Sequence, residues 1–369
     1  MIKIGVLTSS RADFGIYLPL LKKLKADKDF ELGIIAFGTH LSPYHGHTID
    51  QIEAAGFEVK YKVENMLLTD SSSAIATAMG LTTIKFAGFW SEYANEFDLV
   101  FCLGDRYEMF SAIMAGVPFQ VPFAHLHGGE TTLGAIDNVF RHSITLASEY
   151  HFVSTPDAAL RVKQITDSDK HIYYIGALSL DNLSDMDLLT IDEFKQQWAV
   201  DLSKKTILTT FHPETVDYKH NQYYADELVK TLKSLSSYQV LITMPNADTA
   251  GSIIRKVLAD NFSNSDRVFL VENLGAKGYF TAMKYCAFLL GNTSSGIIEA
   301  ASFGKYVINL GDRQKGRSAG NNVIHTPISV DSIIKAVSRI ENSVSLANEN
   351  IYFNNGAAVQ IIKILKQMK

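Results

Sequence analysis

The sequence predicts an α/β protein built from two doubly wound, Rossmann-like domains with parallel sheets. Three observations predict this fold. Short apolar runs alternate with segments of helical periodicity, these runs are continuous rather than strictly alternating, and there are about a dozen of them. Continuous apolar strands are typical of parallel sheets that are buried on both faces. Because one open sheet seldom exceeds about ten strands, two sheets are expected.

The expected strands are distributed over the whole chain. In order they are IKIGVL, ELGIIAF, FEVKYKV, DLVFCLG, VPFAHL, YHFVST, HIYYIG, KTILTTF, YQVLITM, RVFLVE, CAFLLG and YVINLG. The polar stretch Ser179–Gln197 separates two strand–helix series, which predicts domains at 1–178 and 179–369. The last helical segment, AAVQIIKILKQM, can pack on either domain, and the pattern leaves this open.

Composition excludes several classes of function. The chain of 369 residues has a formal net charge of −5, whereas proteins that bind nucleic acid normally carry a basic surface. No apolar segment approaches the roughly 18 residues of a membrane span, and the N-terminus is predicted to be a strand rather than a signal peptide. Cys102 and Cys286 lie in apolar runs, which predicts buried thiols. We therefore expect a cytoplasmic protein without nucleic-acid or membrane partners.

The sequence lacks the motifs that are typical of most cofactor and metal sites. The sequence contains no GxGxxG, GxxxxGK[ST], GxSxG or HExxH pattern and no Cys/His cage. We therefore expect neither a dinucleotide, a P-loop nucleotide nor a required metal.

The ends of the predicted strands carry polar side chains. Because ligands of open α/β sheets bind outside the carboxyl ends of the strands, these residues are candidates for an active site in the cleft between the domains. In the first domain, GDRYE places Asp105 after one strand and HLHGGET places His127 and Glu130 after the next. His125 alternates with His127 and is expected to be buried and hydrogen-bonded.

Two further segments of the first domain admit alternative interpretations. Asp137 and Arg141 are one helical turn apart, so they predict either a surface ion pair or a second carboxylate in the cleft. Asp105 can be catalytic or can pair with Arg106. In TSSRADFG, Asp13 is expected to cap a helix that starts near Gly15, and Arg11 is expected to reach a diphosphate.

The second half of the chain offers two candidate anion sites. GNTSSGIIEA opens a helix with Ser294 and Ser295, which suits an anion but is equally an ordinary N-cap. Glu299, one turn further on, suits ribose hydroxyls. The loop GDRQKGRSAGNN carries Arg313 and Arg317, which predicts either a diphosphate clamp or a solvated basic loop.

Taken together, these blocks resemble one enzyme family. SSRADFG, GDRYE, HGGE, the D...RH.IT pattern, HP, MPNAD, GNTSSG..EA and NLGDRQKGR occur here in collinear order and resemble the hydrolysing UDP-N-acetylglucosamine 2-epimerases of sialic and legionaminic acid biosynthesis. The resemblance implies the GT-B fold, with the sugar on the first domain and the nucleotide on the second. It also implies a homodimer or homotetramer that converts UDP-N-acetylglucosamine and water to N-acetylmannosamine and UDP through a 2-acetamidoglucal, without an external cofactor.

The resemblance also assigns roles to individual residues. It implies the catalytic group Asp105, Glu130, Asp137, Arg141 and His212, and the nucleotide-binding group Arg11, Asn246, Ser294, Ser295, Glu299, Arg313 and Arg317. Which carboxylate is the base and which the acid stays open.

Four alternatives stand beside this interpretation. A relative branch performs the same reaction on UDP-2,4-diacetamido-2,4,6-trideoxyglucose, and the non-hydrolysing 2-epimerases release UDP-N-acetylmannosamine instead. A GT-B glycosyltransferase would need an acceptor site. A module that only binds nucleotide sugars would not need three carboxylates.

Overall fold

The computed structural model describes residues 1–67, 71–245, 251–344, 346 and 349–368. The chain divides into two compact units. The first comprises Met1–Glu130, Asp137–Ser184 and Tyr352–Lys369, and the second comprises Thr131–Ile136 and Asp185–Ile351. The ranges predicted from the sequence, 1–178 and 179–369, differ from these in three places, the first being residues 179–184, which lie in the first unit. The chain's last segment lies in the first unit, and a short segment before Asp137 lies in the second.

Within the described residues, the strands occupy thirteen short segments. They are β1 (Ile2–Thr8), β2 (Phe30–Phe37), β3 (Val59–Val63), β4 (Leu99–Leu103), β5 (Phe123–Leu126), β6 (Tyr150–Val153), β7 (Ile172–Tyr174), β8 (Thr206–Thr210), β9 (Gln239–Thr243), β10 (Val268–Val271), β11 (Phe288–Gly291), β12 (Val307–Leu310) and β13 (Val323–Thr326).

The α-helices of the same residues alternate with these strands. They are α1 (Arg11–Ala26), α2 (Ile49–Ala54), α3 (Ser72–Tyr93), α4 (Tyr107–Gly116), α5 (Asp137–Leu146), α6 (Pro156–Thr166), α7 (Asp181–Asp185), α8 (Ile191–Trp198), α9 (Asn221–Ser234), α10 (Gly251–Phe262), α11 (Gly275–Tyr285), α12 (Ser294–Ile298), α13 (Val330–Glu341) and α14 (Ala357–Lys366).

Each unit contains one parallel sheet of Rossmann type. The first sheet has the strand order β3-β2-β1-β4-β5-β6-β7, and the second has β10-β9-β8-β11-β12-β13. Neighbouring strands in both sheets pair in parallel. The order reverses between β1 and β4 and between β8 and β11, which are the switch points where such sheets bind ligands. The predicted fold class is thus confirmed.

Burial explains why the strands were readable in the sequence. Every residue of β4 and of β8 is buried, so each central strand is apolar or carries small hydroxyl residues throughout. All twelve predicted strands are present. The additional strand, β13, lies at the edge of the second sheet and is mostly half-buried or exposed, so its sequence lacks the apolar run of a central strand.

The C-terminal helix α14 belongs to the first unit. Its buried residues Ile361 and Leu365 share a core with Leu20 and Leu24 of α1. The carboxylate of Asp181 accepts hydrogen bonds from the first two backbone N–H groups of α14, at 3.0 and 2.7 Å. This contact satisfies donors that a helix start otherwise leaves without partners. These contacts place α14 on the first unit, a choice that the sequence left open.

Removing this cap should destabilise the first unit. We expect Asp181→Ala to lower the free energy of unfolding by about 1 kcal/mol, the usual effect of losing a helix N-terminal cap. Urea unfolding followed by circular dichroism measures the change. Asp187→Ala, at an exposed position six residues away, serves as the control and should change stability by less than about 0.5 kcal/mol. Equal effects of the two variants would contradict the capping role.

Candidate active site

In the first sheet, the turns after β4 and β5 lie side by side. Leu103 of β4 is in register with Leu126 of β5. Gly104 donates its N–H to the Leu126 carbonyl, and Gly104 has a φ of 73°, a backbone conformation that favours glycine. Asp105 and His127, which follow these two strands, therefore emerge next to each other at the carboxyl edge.

Arg141 connects these turns to helix α5. Its guanidinium forms an ion pair with the Asp105 carboxylate through Nη2 and donates a hydrogen bond from Nη1 to the Glu130 carbonyl at 3.0 Å. The Arg141 side chain is only 3% exposed, whereas that of Asp105 is 26% exposed. The arginine therefore fixes a carboxylate that solvent and small molecules can still reach.

This pairing gives Asp105 a partner from a different element. Arg106, the neighbour considered in the sequence, forms an ion pair with the buried Glu108 at 2.9 Å. Arg141 reaches across to the β4 turn rather than only back along its own helix. A buried arginine needs a compensating anion, since an unpaired buried charge is strongly destabilising.

Glu130 lies in a different environment from Asp105. Its side chain is 4% exposed, and Oε1 accepts hydrogen bonds from Ser154 Oγ at 2.6 Å and from His127 Nδ1 at 3.1 Å. Ser154 follows β6, whereas His127 and Glu130 follow β5, so two neighbouring strands contribute to this contact. Sequence reasoning did not select Ser154, although a hydroxyl directly after a strand was the available signal.

His125 supports the turn that carries Asp105. It is fully buried, and its Nε2 lies 2.8 Å from the Gly104 carbonyl oxygen, while Nδ1 lies 3.1 Å from Thr145 Oγ1. Burial lowers the pKa of His125 to about 3, so the ring is neutral at ordinary pH. The expectation of a buried, hydrogen-bonded histidine is confirmed. Asp137 is the half-buried first residue of α5, one turn before Arg141.

The turn after β1 differs from its prediction. Helix α1 begins at Arg11 rather than near Gly15, and its N-cap is Ser10, whose hydroxyl accepts from the Asp13 N–H. Asp13 is buried in the first helical turn, where its carboxylate accepts from the N–H and hydroxyl of Ser9 at 3.0 and 2.7 Å. Ser10 rather than Asp13 therefore caps the helix, and Asp13 stabilises the preceding turn through its bonds with Ser9. Arg11 lies exposed at the helix start.

The second sheet carries a comparable arrangement at its own switch point. Asn292, fully buried after β11, accepts from the His212 N–H at 2.7 Å and donates to the His212 carbonyl at 2.8 Å. His212 follows β8, the neighbouring strand. One side chain therefore continues the sheet's hydrogen bonding beyond its edge and fixes the backbone that presents His212.

The loop after β12 is anchored to the same place. Glu214 Oε1 accepts from the Asp312 N–H at 2.7 Å, and Gln314 donates to the Asn292 carbonyl at 2.9 Å. Arg313 donates to the Pro213 carbonyl at 2.7 Å. Burial raises the pKa of Glu214. The loop that was predicted to be either solvated or a clamp is thus pinned along part of its length.

The remaining candidates of the second unit surround this loop. Ser294 and Ser295 open α12, with Ser294 exposed and Ser295 half-buried. Glu299 directly follows this helix and is buried, and Arg317 is half-buried. Asn246 lies outside the described residues.

The structure therefore brings the predicted residues together in two groups. Asp105, Glu130 and Arg141 meet in the first unit, and His212 and Arg313 meet in the second. The supporting residues Asn292, Glu214 and Gln314 were missed because a hydrogen bond to a distant backbone leaves no pattern in a sequence. Among the described residues, no cluster of His, Cys, Asp or Glu is arranged to hold a metal ion, and no helix is long and apolar enough to cross a membrane.

Comparison with known proteins gives consistent matches. A family model described as UDP-N-acetylglucosamine 2-epimerase matches residues 22–366. The chain is 35% identical over 328 residues to the Campylobacter jejuni GDP/UDP-N,N'-diacetylbacillosamine 2-epimerase (hydrolyzing), covering 89% of this chain and 85% of that protein. It is 31% identical over 365 residues to the Legionella pneumophila UDP-N,N'-diacetylbacillosamine 2-epimerase (hydrolyzing), covering 99% and 95%.

Two further matches extend this picture. The Escherichia coli polysialic acid biosynthesis protein P7 is 32% identical over 371 residues, covering 99% of this chain and 94% of that protein. Among solved structures, Neisseria meningitidis UDP-GlcNAc 2-epimerase bound to UDP-GlcNAc has a TM-score of 0.82 at 17% identity, covering 99% of this chain and all of that one. At this identity the structural likeness shows the fold, which is of the GT-B class.

The Asn292 contact yields a prediction about stability. Asn292→Ala removes both hydrogen bonds to His212 and leaves the His212 backbone groups without these partners. We expect the free energy of unfolding to fall by about 2 kcal/mol, since unsatisfied polar groups cost about 1–3 kcal/mol each. Chemical denaturation measures the loss. Asn321→Ala, an exposed asparagine of the same unit, should have almost no effect. A fully stable Asn292→Ala protein would show that the backbone of His212 is held by other contacts.

Proposed function

The chain belongs to the UDP-N-acetylglucosamine 2-epimerase family, and from this membership we propose that it converts UDP-N-acetylglucosamine and water to N-acetylmannosamine and UDP. It is an enzyme of the hydrolysing kind, as are its relatives from Campylobacter jejuni and Legionella pneumophila.

The observation that carries the proposal is the environment of Asp105. Its carboxylate is partly open and is paired with a nearly inaccessible arginine, which also binds the backbone carbonyl of a second acidic residue, Glu130. Active sites collect charged groups whose geometry is fixed before the substrate arrives. A surface ion pair would instead leave both partners solvated and would contribute little to stability.

The chemistry of the reaction needs such groups. In the first stage the proton leaves C2 of the sugar while UDP leaves C1, which gives a 2-acetamidoglucal. The C2 proton is weakly acidic, so a positioned base is required. In the second stage water adds at C1 and a proton adds at C2 from the opposite face. Carboxylates stabilise the positive charge that develops at C1, as in glycoside hydrolysis. We assign the acidic groups of the site to Asp105, Glu130 and Asp137, with Arg141 in support.

The second unit is proposed to hold the UDP. Developing charge on the departing diphosphate is stabilised by arginines and by donors fixed in advance. We assign this role to His212, Ser294, Ser295, Glu299, Arg313 and Arg317, together with Arg11 of the first unit and Asn246. The support for this assignment is the pinned loop that carries Arg313 and the contact by which Asn292 fixes His212.

Some finer points of the proposal rest on the family resemblance. We propose a homodimer or homotetramer that works in the cytoplasm and supplies N-acetylmannosamine to nonulosonic acid biosynthesis, the class that includes sialic acid. The second candidate substrate is UDP-N,N'-diacetylbacillosamine, a 2,4-diacetamido-2,4,6-trideoxy sugar nucleotide. The names of two relatives favour it. Both sugars undergo the same change at C1 and C2.

Incubation with each sugar nucleotide alone tests the proposal. We expect UDP-N-acetylglucosamine to give N-acetylmannosamine and UDP. Anion-exchange chromatography detects the UDP, and proton NMR identifies the sugar. Turnover of only the diacetamido sugar would select the second substrate. Release of UDP-N-acetylmannosamine would instead indicate the non-hydrolysing reaction. Binding of both sugar nucleotides without turnover of either would refute the enzyme assignment, and it is the result expected of a binding module.

Asp105 yields a sharper prediction. Asp105→Asn keeps the shape of the side chain and removes its charge, so kcat should fall at least about 100-fold, as expected when a positioned acid or base is lost. The Kd for UDP, measured by isothermal titration calorimetry, should stay within about twofold. Asp167→Asn is the matched control, because Asp167 is exposed and its φ of 49° suits asparagine. Normal turnover by Asp105→Asn would show that this carboxylate is dispensable.

A further inference from the structure

His127 has an unusual backbone conformation. It is the first residue after β5 and has a φ of 62°, in the left-handed region that residues other than glycine seldom adopt. The next two residues, Gly128 and Gly129, show that small residues are accepted in this turn. Strained residues of this kind cluster at functional sites, so a histidine at this position needs an explanation.

The two ring nitrogens of His127 have different environments. Nδ1 lies 3.1 Å from Glu130 Oε1, which also accepts from the Ser154 hydroxyl. Because a carboxylate oxygen only accepts, the hydrogen of the neutral ring is on Nδ1, and Nε2 carries a lone pair. Nε2 is buried and has no hydrogen-bond partner within the described part of the chain. Buried polar atoms without partners are rare and call for a specific reason.

The exposure of the three side chains indicates which of them can reach a substrate. Asp105 is 26% exposed, His127 is 12% exposed and Glu130 is 4% exposed. Glu130 is thus the least accessible of the three, and Ser154 and His127 already occupy its Oε1. His127 is thus the more accessible member of its pair with Glu130.

We propose that His127 is the base that removes the C2 proton, and that Glu130 is a positioning residue acting through it. This inference rests on the proposed function. In the step, His127 Nε2 takes the proton from C2, and the C–H electron pair forms the C1–C2 double bond. The C1–O bond breaks, and its electron pair leaves with the diphosphate oxygen of UDP. The imidazolium then stands against the Glu130 carboxylate and returns its proton to water before the next turnover.

The charges around His127 suit this role. The turn after β4 contributes Asp105 and helix α5 contributes Arg141, and these two neutralise each other in an ion pair. His125 on β5 and His151 on β6 are kept neutral, because burial lowers their pKa values to about 3 and about 4. Glu130 is then the charge available to stabilise the imidazolium. Imidazoles ordinarily titrate near pH 6.5, closer to neutral pH than carboxylates do, which favours a histidine as a base.

The direct test replaces His127 by asparagine. Asparagine tolerates a positive φ and can still donate a hydrogen bond to Glu130, but it cannot take up a proton. We expect kcat with the sugar nucleotide that the wild-type protein turns over to fall about 10²- to 10⁴-fold. The Kd for UDP and the thermal unfolding midpoint should stay unchanged.

His171→Asn is the matched control. His171 also has a positive φ, of 54°, and its Nδ1 lies 3.7 Å from the carboxylate of Glu149. It directly precedes β7, so it lies at the opposite edge of the sheet from His127. This variant should keep the kcat of the wild-type protein. A similar loss in both variants would overturn the proposal, because it would reflect a general effect of replacing strained histidines.

A second variant tests the link to Glu130 independently. A neighbouring carboxylate favours the protonated form of a base, so Glu130→Gln removes a charge that stabilises this form. Because the base must be neutral to act, the acid limb of the kcat/KM–pH profile should move to lower pH by about one unit, while the plateau falls. A purely structural role of Glu130 would lower the plateau without moving the limb.

The outcomes separate this inference from the proposed function. If the wild-type protein turns over neither sugar nucleotide, the proposed function fails, and this inference fails with it. If the wild-type protein is active and His127→Asn retains kcat within about threefold, the inference alone is wrong. An unmoved acid limb in Glu130→Gln also refutes it, whether or not His127→Asn folds.

Discussion

The buried guanidinium of Arg141 is the interaction on which the carboxyl edge of the first sheet depends. A charge that is almost fully removed from solvent must be compensated, and Arg141 obtains this compensation from Asp105 and from the Glu130 carbonyl. Because these groups follow β4 and β5, the arginine joins two strand ends to helix α5. The geometry of this edge is thereby fixed by the same contact that keeps the arginine stable.

At the carboxyl edge of the second sheet, a neutral side chain rather than an ion pair holds the strand ends together. Parallel strands end with backbone N–H and carbonyl groups that need partners, and at β8 and β11 the side chain of Asn292 supplies them. Gln314 and Glu214 do the same for the loop after β12. Both units therefore hold their candidate residues through buried side-chain contacts, which position polar groups before a ligand binds and reduce the ordering needed during the reaction.

The Asp105 and Glu130 side chains differ in exposure, and this difference suits them to different tasks in the proposed reaction. The side chain of Asp105 is 26% exposed, whereas that of Glu130 is only 4% exposed. Family membership indicates which reaction to expect but does not distribute tasks among these residues, since function depends on the site rather than on the fold. In the arrangement that we propose, the inaccessible carboxylate tunes a histidine, and the accessible one meets the developing positive charge.

The sequence alone determined the two doubly wound sheets and the polar residues at their carboxyl edges. It could do so because parallel strands buried on both faces require continuous apolar runs, and because ligand groups follow those runs directly. It did not determine the edge strand β13, which lacks such a run, or the start of α1, where Ser9, Ser10 and Asp13 satisfy one another's groups.

Only the tertiary structure decided the partners. Arg141 was one helical turn from Asp137 in the sequence, yet it pairs with Asp105, which is 36 residues away. The helix α14 could have packed on either domain, and the distant carboxylate of Asp181 caps it within the first unit. The physical reason is the same in each case. Burial makes an unpaired charge or N–H group costly, and the partner that satisfies it is whichever group the fold brings near, at a sequence distance that no local pattern records.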